Sequence, residues 1–127
     1  MKNHKLYTPI ILFVLSMCFY AFTNIGDING IASKMRSGDT AGLSAYFDSS
    51  IEMNILGDDA FDKTTASTAL KTFFGSNSPS GFTVKHEGTA PNGSQYVIGN
   101  LTTSTGDYRA YIVVNGESIQ ELTIENW

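Results

Sequence analysis

Turn sequences divide the last third of this chain, from Phe82 to Glu125, into short segments typical of β-strands. The turns are Pro91-Asn92-Gly93, Thr105-Gly106-Asp107 and Asn115-Gly116. Asn-Gly between two apolar segments is a strong hairpin signal, because both turn residues must tolerate a positive φ. The last third therefore predicts an antiparallel meander.

Two stretches before the meander have the apolar spacing of a helix with one buried face. The first begins at Ile28 and ends before Gly38, which suits a left-handed C-terminal cap. The second runs from Lys63 to Phe74, with Asp62 as its N-cap and Gly75 as its end. The predicted buried positions are Ile28, Ile31, Ala32 and Met35 in the first helix and Ala66, Leu70 and Phe73 in the second.

Between these helices we expect a short helix, one strand and a brief second strand at Ala60-Phe61. Asp39 or Thr40 would cap the short helix, which would carry Tyr46-Phe47 and break at Asp48-Ser49-Ser50. Apolar and polar residues alternate from Ile51 to Ile55, as in a half-buried strand. Helices followed by a run of antiparallel strands predict an α+β fold.

Residues 1–23 have the pattern of a secretory signal peptide. Lys2 and Lys5 precede an apolar stretch that ends at Ala21-Phe22-Thr23, where small residues occupy the −3 and −1 positions of a cleavage site. We expect cleavage after Thr23 and export of residues 24–127 as one domain, periplasmic or secreted. The apolar stretch is shorter than the about 20 residues that span a bilayer. An uncleaved membrane anchor and lipidation at Cys18 are the alternatives.

The charge of the exported chain argues against two classes of partner. The full sequence has 8 basic and 12 acidic residues, and Lys2 and Lys5 belong to the leader, which leaves a net charge of −6. No basic cluster is present to attract phosphate groups, so nucleic acid and anionic lipid are poor partners. Without the leader the chain has no cysteine, so an apolar core must hold the domain together.

The order of these elements resembles the nuclear-transport-factor-2-like, or cystatin-like, cone, in which helices pack on a curved, mostly antiparallel sheet. The chain also resembles, from about Ile28 to Glu125, a family of small secreted bacterial proteins of unknown function with this fold. The resemblance implies a signal peptide and a single cone domain, and it supplies no catalytic residues. The segments that carry it are Ser37-Gly38-Asp39 with Leu43 and Tyr46-Phe47, Leu70-Lys71-Thr72-Phe73-Phe74, Phe82-Thr83-Val84-Lys85-His86-Glu87-Gly88, Gln95-Tyr96-Val97-Ile98-Gly99-Asn100-Leu101 and Tyr108-Arg109-Ala110-Tyr111.

A strongly curved sheet needs bulky side chains or a ligand in its hollow, so we sought residues that face inward. His86 shares the predicted strand face of Phe82 and Val84 and could act there as a general base, although no spacing supplies an orienting carboxylate. A structural histidine, bonded within the sheet or exposed, is the simpler interpretation. Tyrosines facing the hollow would be natural ligand contacts, and packing within the sheet is their simpler interpretation. The candidate pocket residues are Tyr46, Phe73, Phe82, His86, Tyr96 and Tyr111.

The remaining polar residues fit no catalytic or metal-binding motif. Asp58, Asp59 and Asp62 lack the spacing of a calcium loop and are better explained as a turn and a helix cap. Arg109 is expected to form a cross-strand ion pair, with Glu117, Glu121 or Glu125 as the candidates. We assign no catalytic residue, no metal ligand and no cofactor.

Three functions remain in competition, and one of them, a purely structural or assembly subunit, predicts a filled hollow together with a broad apolar patch on the sheet. The leading hypothesis is a non-enzymatic exported binding module that holds a small apolar ligand or a protein partner at the open end of the cone or across the sheet. The uncovered outer face of the meander also favours a homodimer. The alternative is a small isomerase or dehydratase similar to ketosteroid isomerase, with His86 or Asp48 as the base and a tyrosine as the oxyanion donor. A hollow filled by Phe73, Phe82 and Tyr96 would exclude the enzyme.

Overall fold

The computed structural model describes residues 28–127. The predicted signal peptide, its cleavage site and Cys18 lie outside the described residues. No helix within residues 28–127 has both the length and the apolar character needed to cross a bilayer. The elements are α1 (Ile28–Ser37), α2 (Thr40–Ser44), β1 (Phe47–Ile55), β2 (Asp58–Ala60), α3 (Lys63–Ser76), β3 (Pro79–Thr89), β4 (Gln95–Thr103), β5 (Gly106–Asn115) and β6 (Ser118–Asn126).

The six strands form one mixed sheet in the order β2-β1-β6-β5-β4-β3. Strands β3 to β6 make the predicted antiparallel meander, whereas β1 returns to pair in parallel with β6. Helix α3 packs against β1 and α1 packs against β3, so the helices cover one face of the sheet. We call this the inner face and the opposite one the outer face. The predicted α+β architecture of helices on a curved, mostly antiparallel sheet is confirmed.

The inner face and the helices enclose one apolar core. Along β4 and β5 alternate residues are buried, as expected for strands with one covered face. The predicted stripes of α1 and α3 point into this core, apart from Ile28, which packs at its margin. The largest fully buried side chains are Met35, Leu43, Ile51, Met53, Leu70, Leu101, Ile112, Ile119, Leu122 and Ile124.

Local side-chain chemistry sets the helix boundaries, with one correction. Gly38 has a φ of 67° after α1, and Asp39 and Asp62 accept backbone N–H groups at the starts of α2 and α3, as predicted. Gly75, however, does not end α3. The helix continues to Ser76, and Asn77 caps it by donating its backbone N–H and its side-chain amide to the Phe73 carbonyl.

Strand β1 begins at Phe47, where we expected the short helix to continue. Asp48 Oδ2 accepts hydrogen bonds from the Ser50 backbone N–H at 3.0 Å and hydroxyl at 2.7 Å. This local turn coincides with a shift in the register between β1 and β6, from Phe47 to Glu52. Asp48-Ser49-Ser50 is therefore an irregular part of a strand, and the prediction of a helix through Tyr46-Phe47 is wrong.

The hairpins form where the turn sequences predict them, but the loop residues differ. Asn115 pairs with Ser118, so the loop of the last hairpin is Gly116-Glu117, and of the Asn-Gly pair only the glycine has a positive φ, 64°. A two-residue turn with positive φ at both positions joins β1 to β2 instead, at Leu56 (52°) and Gly57 (96°). Leucine rarely adopts this conformation, because its Cβ crowds the following carbonyl.

Candidate functional site

The six candidate pocket residues lie on two sides of the sheet. Phe73 on α3 and Phe82 on β3 face the inner side, where each is only 5–6% exposed. Tyr46 is half-buried at the margin of the same core. Phe82 packs over Gly99 of β4, since a Cβ on that glycine would lie 2.6 Å from the ring atom Cε1. These aromatic side chains supply the bulky filling that a curved sheet needs.

His86 lies on the outer face, so its predicted position beside Phe82 and Val84 is wrong. Val84 pairs with Gly99 of β4, but His86 pairs with Ile98, which leaves Lys85 as an extra residue in β3. Such a bulge reverses the side-chain alternation of every later residue in the strand. The irregularity lies beside Gly99 of β4, and the extra residue belongs to the neighbouring strand β3. His86 is exposed to solvent.

Tyr96 and Tyr111 also lie on the outer face. Tyr96 pairs with Val113 and Ile98 pairs with Tyr111, so these four side chains are neighbours on the two central strands β4 and β5. All four are half-buried, and the two tyrosine rings are 6.4 Å apart between centroids. We call these four residues the outer patch. Its members are too exposed to belong to the core, and together they form an apolar and aromatic surface.

Trp127 extends the outer patch at one end. Its indole Nε1 donates a hydrogen bond to Asn100 Oδ1 at 2.5 Å, and its ring centroid is 5.9 Å from the Arg109 guanidinium carbon. Arg109 Nη1 lies 3.7 Å from Glu125 Oε1 directly across the strand pair, which confirms one of the predicted ion pairs. The indole itself is 63% exposed. We did not predict Trp127, although its residue type was a signal, because tryptophan is enriched in protein interfaces.

Opposite charges flank the outer patch. On one side Glu52 of β1 and Glu121 of β6 stand directly opposite each other, and no cation within residues 28–127 pairs with them. On the other side lie Lys85 and His86, both exposed on β3. Like charges in direct register destabilise a strand pair. The outer face thus has an apolar centre and an unpaired acidic side.

A groove of about 560 Å³ on the helical side is the weaker candidate site. Several of its polar groups already have partners within the protein. Asp39 accepts the Gly42 N–H, Ser44 donates to Ser67, and Ser67 donates to the Lys63 carbonyl. The groove is lined by Gly38, Asp39, Thr40, Ala41, Ser44, Ser67, Thr68, Lys71, Phe74 and Gly75.

The structure does not bring the proposed acid–base groups together. Within residues 28–127, neither His86 nor Asp48 is hydrogen-bonded to a tyrosine, and the Ser50 hydroxyl and backbone N–H occupy Asp48 Oδ2. These bonds lower the pKa of Asp48, which makes it a weaker base. Tyr108, the inward tyrosine of its strand, is hydrogen-bonded to Asn77, the C-cap of α3, and to Thr105 in the turn before β5. No group of three or more potential metal ligands occurs within residues 28–127.

Comparison with known proteins identifies similar structures and a family. A DUF4783 family protein from Bacteroides ovatus is 29% identical, with a TM-score of 0.70 over 77% of this chain and 93% of that one. A DUF4783 family protein from Bacteroides uniformis is 24% identical, with a TM-score of 0.72 over 80% of this chain and 97% of that one. The comparison with curated proteins gave no match.

The fold is also seen in a more distant protein. An NTF2-like protein of unknown function from Cytophaga hutchinsonii is 7% identical, with a TM-score of 0.57 over 76% of this chain and 83% of that one. The predicted nuclear-transport-factor-2-like fold is therefore confirmed. The family model described as a domain of unknown function, DUF4783, matches residues 28–125. This match covers most of the chain, and the protein therefore belongs to the DUF4783 family.

Proposed function

We propose that this protein is an exported, non-catalytic module that binds a protein partner through the outer face of its sheet. The observation that carries the proposal is the outer patch of Tyr96, Ile98, Tyr111 and Val113, half-buried on the two central strands and extended by Trp127. An apolar centre with a polar rim is the usual anatomy of a protein interface. Tyrosine, tryptophan and arginine are the residue types that contribute most to binding energy there.

The contents of the inner face support a protein partner over a small ligand in the hollow. Phe73, Phe74 and Phe82 lie in the core between the helices and the sheet and are at most 6% exposed. Of the three half-buried aromatic candidates, Tyr96 and Tyr111 lie on the opposite face, and Tyr46 lies at the margin of the core. An open sheet face of this kind suits another protein surface, whereas small ligands prefer concave pockets.

The same geometry weighs against the isomerase or dehydratase. That chemistry needs a base and an oxyanion donor on one reacting group, within hydrogen-bond reach. His86 and the two outer tyrosines share an open strand face, where bulk water screens any charge that develops. His86 does not take the inward position that we had predicted for it, because it pairs with Ile98, which lies on the outer face.

Site-specific photocrosslinking in the source cells tests the proposal. A benzophenone amino acid would replace Tyr111 in the outer patch, and a matched control would replace Thr72, which is exposed on α3. We expect light-dependent protein adducts of discrete mass from position 111 and none from position 72. Adducts of equal yield from both positions, or none from position 111, would contradict the proposal.

Mass spectrometry of protein purified from the same cells tests the rest of the proposal. It should show a chain that begins at Asn24 and carries no retained small molecule. A stoichiometric ligand that survives purification would favour the small-ligand hypothesis instead. A chain that still begins at Met1 would contradict processing of the leader.

A further inference from the structure

The outer patch lies directly beside the two unpaired carboxylates of the same face. The strand registers place Glu52, Glu121, Val113 and Tyr96 in one row across the four adjacent strands β1, β6, β5 and β4. We propose that the partner of this face is a basic protein surface, in which a lysine or arginine lies two strand spacings, or about 10 Å, from an apolar side chain. The inference rests on the proposed function, because it names the chemistry of the partner at the same face.

A partner that covers the outer patch also covers Glu121. Neighbouring strands are about 4.8 Å apart, so Glu121 on β6 lies one spacing from its pairing residue Val113 on β5. Glu121 is already half-buried, and Glu52 stands directly opposite it on the side away from the patch. A carboxylate that loses its remaining water without gaining a cation raises the free energy of the complex. Since no cation within residues 28–127 pairs with Glu121, the partner has to supply one.

The distribution of charge over the whole sheet points to the same partner. Strands β2, β1 and β6 hold six acidic residues and no lysine, arginine or histidine. Arg109 on β5 already pairs with Glu125, and the other basic residues of the sheet, Lys85 and His86, lie on β3. Strand β3 is four spacings from β1, or about 19 Å along the sheet, well beyond the Debye length of about 8 Å at physiological ionic strength. The potential over the acidic strands therefore stays negative and attracts a basic surface.

The two carboxylates also act against other kinds of partner. An acidic surface would place like charges over Glu52 and Glu121, and a purely apolar surface would cover Glu121 without a counter-ion. Discrimination between partners commonly comes from such unfavourable contacts with the wrong one. The apolar centre of the face thus contributes binding energy, and the acidic side decides which protein surface it accepts.

Titration of the processed protein with random copolymers tests the inference. One copolymer contains lysine and tyrosine, the other contains glutamate and tyrosine, and both sample many spacings between charge and ring. Trp127, the only tryptophan of the chain, is exposed beside the outer patch, so its fluorescence reports binding there. We expect a saturable change with the lysine copolymer that weakens at high salt, and none with the glutamate copolymer. A lysine homopolymer should bind more weakly, because it has no side chain that covers the apolar centre.

Glutamine substitutions show whether the two carboxylates are responsible. Glu52→Gln combined with Glu121→Gln keeps the shape of both side chains and removes their charge, so the lysine copolymer should bind roughly tenfold more weakly. Glu87→Gln combined with Glu117→Gln removes the same charge elsewhere and should have little effect. Glu87 pairs with Val97, which is buried in the core, and Glu117 lies in the last hairpin turn.

Crosslinking from position 111 in the source cells separates this inference from the proposed function. With both Glu52→Gln and Glu121→Gln present, the yield of adducts should fall by a similar factor. Adducts that form equally well with both glutamines, or that join two copies of this chain, overturn the basic partner and leave the proposed function in place. Equal binding of the lysine and glutamate copolymers, or an equal loss in the control pair, also overturns the inference. Absence of any adduct from position 111 overturns the proposed function itself.

Discussion

The two faces of this sheet are built from the same strands and differ in how firmly their side chains are held. On the inner face of β4, Leu101 is fully buried and Phe82 is locked over Gly99. On the outer face of the same strand, Ile98 and Tyr96 are half-buried. The inner side chains are enclosed by helices, while the outer ones have only their strand neighbours. A face that the protein itself does not cover is where aromatic residues remain available to a partner.

The largest expected difference between the faces is in how much stability the protein loses when a side chain is truncated to alanine. Leu101→Ala should lower the free energy of unfolding by about 2–5 kcal/mol, because it leaves a cavity in a packed core. Ile98→Ala, three residues earlier, should cost about 1 kcal/mol, because water already reaches that side chain. Urea denaturation at low protein concentration measures both without a contribution from self-association. Equal losses would show that the outer face is packed as tightly as the inner one.

Two glycine-to-alanine substitutions compare the inner and outer faces by adding a single methyl group to each. In Gly99→Ala the added methyl would lie 2.6 Å from Phe82 Cε1, on a ring that the core prevents from moving, so we expect a loss of about 1–3 kcal/mol. In Gly88→Ala the methyl would lie 2.6 Å from Tyr96 Oη, but that ring can turn into solvent, so the loss should be about 0.5 kcal/mol.

Thermal unfolding of both glycine variants measures these losses. The control for the clash between the added methyl group and the Phe82 ring is the double variant Phe82→Leu with Gly99→Ala. Leucine has no ring for the methyl group to meet. The double variant should therefore lose less than the sum of the two single losses. A Gly88→Ala protein as unstable as Gly99→Ala would mean that Tyr96 is held rigidly.

The ion pair on the outer face should contribute less. Arg109 and Glu125 have side chains that are 41% and 52% exposed, so Glu125→Gln should cost about 0.2–1 kcal/mol at low salt. The loss should shrink at high salt, because ions screen an exposed pair. Glu117→Gln, in the turn before β6, is the matched control, and its effect should be near zero. An effect of Glu125→Gln that salt does not change would contradict the electrostatic explanation.

The smallest effect concerns the cap of the helix that covers the inner face. The Thr65 backbone N–H and hydroxyl donate to Asp62 and lower its pKa. A carboxyl with a lower pKa in the folded state stabilises the fold above its unfolded pKa, and that stabilisation is lost as the pH falls through the folded pKa. The wild type should therefore lose stability below about pH 4.

Asp62→Asn is the test of this pH dependence. Asparagine keeps the capping oxygen but does not titrate, so its stability should fall less steeply between about pH 4 and pH 2. The stability of Asp62→Asn should still fall with pH to some extent, because hydrogen bonds from Ser50 also lower the pKa of Asp48. If the free energy of unfolding fell equally with pH in Asp62→Asn and the wild type, the Asp62 cap would not be the source of the pH dependence.

Much of the fold followed from local chemistry. The stripe of α1, the N-caps at Asp39 and Asp62 and the hairpins of the meander depend on residues a few positions apart, so a single sequence contains them. The pairing of Arg109 with one of three glutamates also followed, because hairpin register leaves few choices. The parallel pairing of β1 with β6 did not follow, since the two strands are far apart in the chain.

The sequence predicted which residues are of interest in the candidate site, but not where they lie. Sequence patterns selected Tyr96, Tyr111, Phe82 and Phe73 as the aromatic residues of interest, but they placed all of them around one hollow. A single extra residue, Lys85, moved His86 to the outer face, and nothing in the local sequence marks Lys85 as a bulge. Leu56 is a similar case, because a leucine in a left-handed turn is tolerated only where the strands on both sides hold it there.

The amino-acid order by itself determined which residues are apolar, where helices and turns begin, and that the strands of the last third pair with their neighbours. These properties arise from interactions within a few residues. Only the tertiary structure decided which side of the sheet each aromatic residue occupies. That choice depends on strand register, and register is set by packing between segments distant in the chain, where one inserted residue reverses every side chain beyond it.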